Sequence, residues 1–193
     1  MGVRTELDGP PEEFAAAVAA LRAAALRPEV AVEPIPAPQR IAPYATALSA
    51  DVRDGADDLG SGRLVLLYDP AGNEAWEGTF RCVAFGKAEV GVEMVADPLV
   101  SAVSWSWLTD ALAGAGAAYV ALSGTVTSVL SEGFGGMADD GSTAQLEIRA
   151  SWTPLDGVTA HVRAWAEMLC TVSGLPPLPP GVSSLSPRGQ PRG

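Results

Sequence analysis

The sequence predicts an α+β fold: an antiparallel sheet of about four to five strands built from two β-β-α units, helices packed on one face, with an N-terminal helix and a proline-rich arm. Three observations carry that expectation. In RLVLLYDPAGNEAWEGTFRCVAF, Arg63 to Phe85, two strands flank a turn, with Trp76, Gly78, Phe80, Cys82 and Ala84 on one face and Glu77, Thr79 and Arg81 on the other. The same period of two recurs in AYVALSGTVTSVL and TAQLEIRASW, where Leu146, Ile148, Ala150 and Trp152 alternate with Gln145, Glu147, Arg149 and Ser151. Each hairpin then runs into a segment opened by a small side-chain oxygen and a proline, Asp97-Pro98-Leu99 and Thr153-Pro154-Leu155, which is how helices begin.

The elements follow in order. Residues 1–9 are expected to be a flexible N-terminus, and 10–173 a single domain. Asp8 and Pro10-Pro11 open a first helix that carries Phe14, Val18, Leu21 and Ala25 at helical spacing and stops before Pro28. Residues 28–43 hold five prolines in sixteen residues, which neither a helix nor a central strand tolerates, so they predict an extended arm, with an edge strand at Val30 to Glu33. Val30, Val32, Ile35 and Ile41 would pin it down. A short helix from Pro43 to Ser49 and an acidic linker over 51–62 complete this half. Residues 131–141, SEGFGGMADDG, form a flexible loop. The last helix shows the stripe Val158, Val162, Trp165, Leu169 and Val172, and the proline-rich residues 174–193 are a disordered tail.

VSWSWLTDAL places two tryptophans on the middle helix. At 100° per residue Val100, Trp107 and Ala111 share a stripe, which puts Trp107 in the core. Trp105 falls well outside it. Its ring either packs on the proline-rich arm or is displayed to a partner or ligand.

Composition narrows the function. With 48% apolar residues in 193, the chain can bury a full core, and a net charge of −11 opposes the phosphate neutralisation that direct nucleic-acid binding requires. No apolar run reaches the roughly 18 residues of a membrane span, and the start lacks a signal-type core, so a cytoplasmic location is expected. Cys82 and Cys170 have apolar neighbours and suit buried reduced thiols. The single histidine, His161, has no second His or Cys-x-x-Cys for zinc, and no cysteine stands in a turn that would present a nucleophile. The glycines of 131–141 come with Asp139 and Asp140 and without Lys, unlike a phosphate cradle. The carboxylates of 51–62 lack the alternate spacing of a calcium loop. No metal, cofactor or catalytic residue is predicted.

The strings RPEVAVEPIPAPQRIAPYATALSADV, RLVLLYDPAGNEAWEGTFR, VSWSWLTDAL and AQLEIRASWTPL resemble an uncharacterised actinobacterial family catalogued as domain of unknown function number three thousand. That resemblance implies no activity or site. Gene neighbourhood in that family links it to a ribonuclease D-like exonuclease by association alone. The order of elements is also similar to that of secretion-chaperone-like adaptors, a likeness of architecture. The leading expectation is a non-enzymatic, cytoplasmic protein-binding or adaptor module whose partner is another protein or a second copy. Its contact surface would draw on Arg40, Tyr44, Trp76, Arg81 and Trp105, together with the open face or an edge of the sheet. The alternative is a small-molecule binder or an enzyme of unrecognised type, with a pocket between sheet and helices where Arg40, Tyr44, Trp76 and Arg81 converge.

Overall fold

The computed structural model of the protein describes residues 9–177. The expected flexible N-terminus and disordered tail fall almost wholly outside those residues. The elements run α1 (Glu12–Arg22), β1 (Val30–Ile35), β2 (Tyr44–Asp54), β3 (Asp57–Asn73), β4 (Gly78–Val90), α2 (Val92–Ala96), α3 (Val100–Gly114), β5 (Tyr119–Glu132), β6 (Ser142–Pro154) and α4 (Val158–Val172). Single 3-10 turns at Glu74–Trp76 and Gly135–Asp140 close the β3-β4 and β5-β6 hairpins. All six strands form one antiparallel sheet in the order β1-β2-β3-β4-β6-β5.

One face of that sheet carries Leu48, Ala50, Val52, Leu64, Leu66, Cys82, Ala84, Leu146, Ile148 and Trp152, all buried under the helices. α4 is the central cover. Its stripe puts Trp165, Met168 and Leu169 fully inside, against β3, β4 and β6. The helix comes close because Gly62 and Gly86 face each other across β3 and β4. A Cβ at either position would stand 2.6 to 2.7 Å from Leu169. α3 lies beside α4 and over β5, while α1 rests on α4. The acidic pair Glu12 and Glu13 in the first turn and Arg22 in the last match the dipole of α1.

Two β-β-α units are present, β3-β4-α3 and β5-β6-α4, and the helices do cover one face. The strand count of four to five is too low, because the N-terminal third supplies a further hairpin. Residues 28–43 are not a surface arm: Val30–Ile35 is edge strand β1, with Pro34 tolerated at the rim opposite Leu48, and only 36–43 form a connection. Within that connection Ile41 is 58% exposed and is not pinned. The expected helix at Pro43 to Ser49 is the start of β2, and the expected linker over 51–62 is the β2-β3 hairpin, turned at Gly55 with φ +61°. Alanines at the buried positions of β2 mimic a helix former, and the carboxylates simply mark strand ends that extend beyond the core.

Two helix starts also differ. Asp97 accepts the Leu99 N–H at 2.8 Å in the turn before α3, but the N-cap of α3 is Leu99, without a side-chain capping bond. Thr153 and Pro154 instead finish β6, and α4 begins after Gly157. Both cysteines are free and buried, as expected of reduced thiols. Burial pushes each thiol up, to about 12.

Candidate binding surface

Among the described residues nothing covers the middle of the sheet's other side, opposite the helices. It is a trough of about 700 Å³ to which five strands contribute: Ser49 and Asp51 from β2, Arg63 from β3, Phe85 from β4, Thr125 from β5, Arg149 from β6. These residues share a face because the strand register puts Ser49 opposite Arg63, Arg63 opposite Phe85, Phe85 opposite Arg149 and Arg149 opposite Thr125. The result is a straight row of outward-facing side chains across the sheet. The guanidinium of Arg149 lies over the Phe85 ring at 5.1 Å and meets Glu147 at 3.0 Å. Arg63 is exposed and makes no ion pair among the described residues. The one carboxylate of the lining, Asp51, stands 3.7 Å from Arg53.

One end of this face is closed. Ala47, Val65 and Leu67 form a small apolar cluster there, capped by Ile35 at the end of β1, by Ala37 and Ala42 of the 36–43 connection and by Trp76. Beside it Arg81 is 7% exposed and donates to the Ala121 carbonyl at 2.9 Å, to Ser151 Oγ at 2.8 Å and to Thr153 Oγ1 at 3.3 Å. Thr153 in turn donates to the Trp76 carbonyl. Burial lowers the proton affinity of Arg81. Its hydrogen bonds tie β4 to the irregularity in β5, where the register shifts between Val120 and Ser123 and Ala121 takes φ +51°.

The five residues singled out from sequence therefore divide. Trp76 and Arg81 meet through Thr153 at the edge of the open face. Arg40 is exposed in the connection, with φ +67°. Tyr44 lies on the helix side, in an aromatic cluster with Phe14 at 5.7 Å and Tyr68 at 6.1 Å. Trp105 is half-buried on that same side, over Gly124 of β5 rather than on the proline-rich segment. A Cβ on Gly124 would stand 2.7 Å from its ring. The buried stripe of α3 is Ser104, Leu108 and Leu112, so Trp107 sits on its flank. Trp107 lines a second cavity of about 710 Å³ between α3, α4 and the turn at Ala25 to Pro28. Neither cavity lies between sheet and helices, where Trp152, Trp165, Met168 and Leu169 are 0% exposed.

Arg63, Phe85 and Arg149 were not singled out by the sequence, although Phe85 carried a usable signal. It falls on the polar face of an alternating strand, next to Ala84 on the apolar one.

His161 is fully buried and satisfied. The Trp152 Nε1–H donates to its Nδ1 at 2.9 Å, which leaves the proton on Nε2 to be donated to Asp156 Oδ1, also at 2.9 Å. Burial lowers its proton affinity and outweighs Asp156, which raises it. The second oxygen of Asp156 accepts the Ala118 N–H at 3.3 Å. This chain of contacts joins β6, α4 and the approach to β5, and it holds the imidazole away from solvent. Among the described residues no group of three or more His, Cys, Asp or Glu is placed to hold a metal ion, and no helix is long and apolar enough to cross a membrane.

What the open face can do chemically is donate. Guanidinium groups and the hydroxyls of Ser49, Ser61, Thr125 and Ser151 offer hydrogen bonds to acceptors such as carboxylates, and Phe85 and Val83 offer apolar contact.

No similar curated protein and no similar solved structure is found. The sequence profile of one family, described as a protein of unknown function (DUF3000), matches residues 10–183, and the chain belongs to that family.

Proposed function

We propose that the chain is a non-enzymatic, cytoplasmic protein-binding module that receives an acidic segment of a partner protein on the open face of its sheet. The observation that supports this is the row Arg63, Phe85, Arg149 across an uncovered face, in a chain whose net charge is −11. A donor-rich row in so acidic a protein selects acceptor-rich, negatively charged partners. The shape favours a polypeptide over a small molecule. Small-ligand sites bury about 70–90% of the ligand, which needs walls, whereas this trough runs open over five strands.

The test uses a fluorescein-labelled dodecapeptide of alternating Glu and Val, with anisotropy as the readout. Arg63 and Arg149 are both exposed, so Arg63→Glu with Arg149→Glu leaves the fold intact, which circular dichroism checks. The double variant is expected to weaken binding by about tenfold or more, and citrate at equal concentration to compete poorly. Unchanged affinity in the variant defeats the proposal. Full competition by citrate replaces a protein partner with a small anion.

A further inference from the structure

The sheet has two edges, and they are finished differently. β1 is short, Val30–Ile35, and is blunted by Pro34 and the exposed Glu33, devices that discourage another strand from pairing. β5 is long, Tyr119–Glu132, contains no proline, and carries no charged residue before its last position. Its sequence from Thr125 to Val129, TVTSV, is rich in β-branched residues. Among the described residues β5 pairs with β6 alone, and the outer row of its backbone N–H and C=O groups meets no other strand there.

The exposed apolar side chains gather at the same place. Among the described residues ten large hydrophobics are exposed, and seven of them lie on β5, on the tip that follows it, on α2 or α3, which pack against β5, or on the turn between those helices. Val129 and Leu130 project to opposite faces of the strand, because their partners on β6 are Gln145 and the buried Ala144. Phe134 and Met137 stand on the tip at 78% and 63% exposure, and Leu99 and Val103 one turn apart at the start of α3, Leu99 as its N-cap. Exposed apolar groups on both sides of an unpaired edge are what an added strand would cover.

Charge indicates what kind of strand. Between Lys87 and Arg149 the sequence has eight acidic residues and no Lys, Arg or His. That interval supplies α2, α3, β5 and the tip, so the apolar edge is bordered by carboxylates such as Glu93, Asp97, Glu132 and Asp139, and the cation beside it is Arg149, opposite Thr125 on β6. A second copy laid edge to edge would set acid against acid. We infer that β5 is a strand-addition site for an extended, basic segment of another protein, with alternate residues apolar. The partner's backbone pairs with β5, its apolar side chains, all on one face, cover Leu130, and its cations, on the other, reach the acidic rim. This edge adjoins the open face, with Thr125 common to both, and is opposite to it in charge preference.

The experiment uses the full chain and a labelled dodecapeptide of alternating Lys and Val, with Lys-Gly and Glu-Val peptides of equal length as controls. Lys-Val is expected to bind by anisotropy, more weakly as salt is raised, and to slow amide exchange in residues 125–130. Val129→Lys with Leu130→Lys, two exposed positions, is expected to reduce that affinity by about tenfold or more, while Arg63→Glu with Arg149→Glu, which adds negative charge beside Thr125, does not weaken it. Equal binding of Lys-Gly shows attraction by charge alone and overturns the strand site. So does an unaffected double Lys variant. A wild-type dimer dispersed by the same two substitutions makes a second copy the occupant and overturns the assigned partner.

Discussion

Replacing His161 by Phe should remove a pH dependence of stability and cost the fold a buried hydrogen bond. The ring is 0% exposed and holds Trp152 Nε1 and Asp156 Oδ1, each at 2.9 Å. Phe fills similar space but accepts nothing, so the Trp152 N–H, in a side chain itself 0% exposed, loses its acceptor. An orphaned buried donor costs about 1–3 kcal/mol. Asp156 is 44% exposed and can turn to water. The pH dependence follows from the lowered proton affinity of the folded imidazole. The unfolded chain takes up this proton near its ordinary value of about 6.5, and the folded chain only at lower pH. The wild type therefore has its full stability above that value and loses it as pH falls towards the folded pKa, with a slope of at most about 1.4 kcal/mol per pH unit. Urea unfolding followed by tryptophan fluorescence, from about pH 7.5 down to about pH 5.5, measures both proteins. Carboxylate repulsion changes alike in the two, so the difference isolates His161. At the upper end the wild type should lead by about 1–3 kcal/mol, and that lead should shrink as pH falls. Parallel profiles would refute the reasoning, and so would a lead that grows in acid.

Three further substitutions probe other contacts. Gly124→Ala places a methyl against the Trp105 ring and the Arg149 carbonyl, so it should destabilise by about 1–3 kcal/mol and shift the tryptophan emission; an unchanged melting temperature would contradict that packing. Arg81→Met leaves the Ala121 carbonyl and Ser151 without their donor and should cost about 2–4 kcal/mol in urea unfolding, whereas equal or greater stability would show that the buried guanidinium is no net support. Ser104 Oγ is buried without a partner among the described residues, so Ser104→Ala should be neutral or stabilise by up to about 1 kcal/mol in thermal unfolding, and a clear loss would reveal a bonded partner.

How much of this was legible depends on which residues carried contrast. In β4 and β6 bulky apolar side chains alternate with polar ones, so Cys82, Ile148 and Trp152 could be placed on their face directly. β2 buries Ala47 and Ala50, which are too small to mark a face and favour helix in isolation, and pairing with β1 and β3 overrides that preference. In α3 apolar residues surround the axis, so the large Trp107 suggested a centre that Leu108 actually occupies. The site divides along the same line. Arg81 and Trp76 stood out as a charge and a ring within a clear hairpin. Arg63, Phe85 and Arg149 become a row only through register across three strands, which no single stretch of sequence contains.

The claim that this protein binds acidic partners across its open face is tested most directly by a two-dimensional NMR titration of the full chain with the Glu-Val peptide, reading the side-chain Nε–H signals of arginine. The account predicts that Arg63 and Arg149 shift together along one binding curve, while Arg27, buried between Glu29 and Glu167 on the far side, stays still. Shifts confined to other arginines, or none at peptide concentrations that saturate the anisotropy signal, would contradict it.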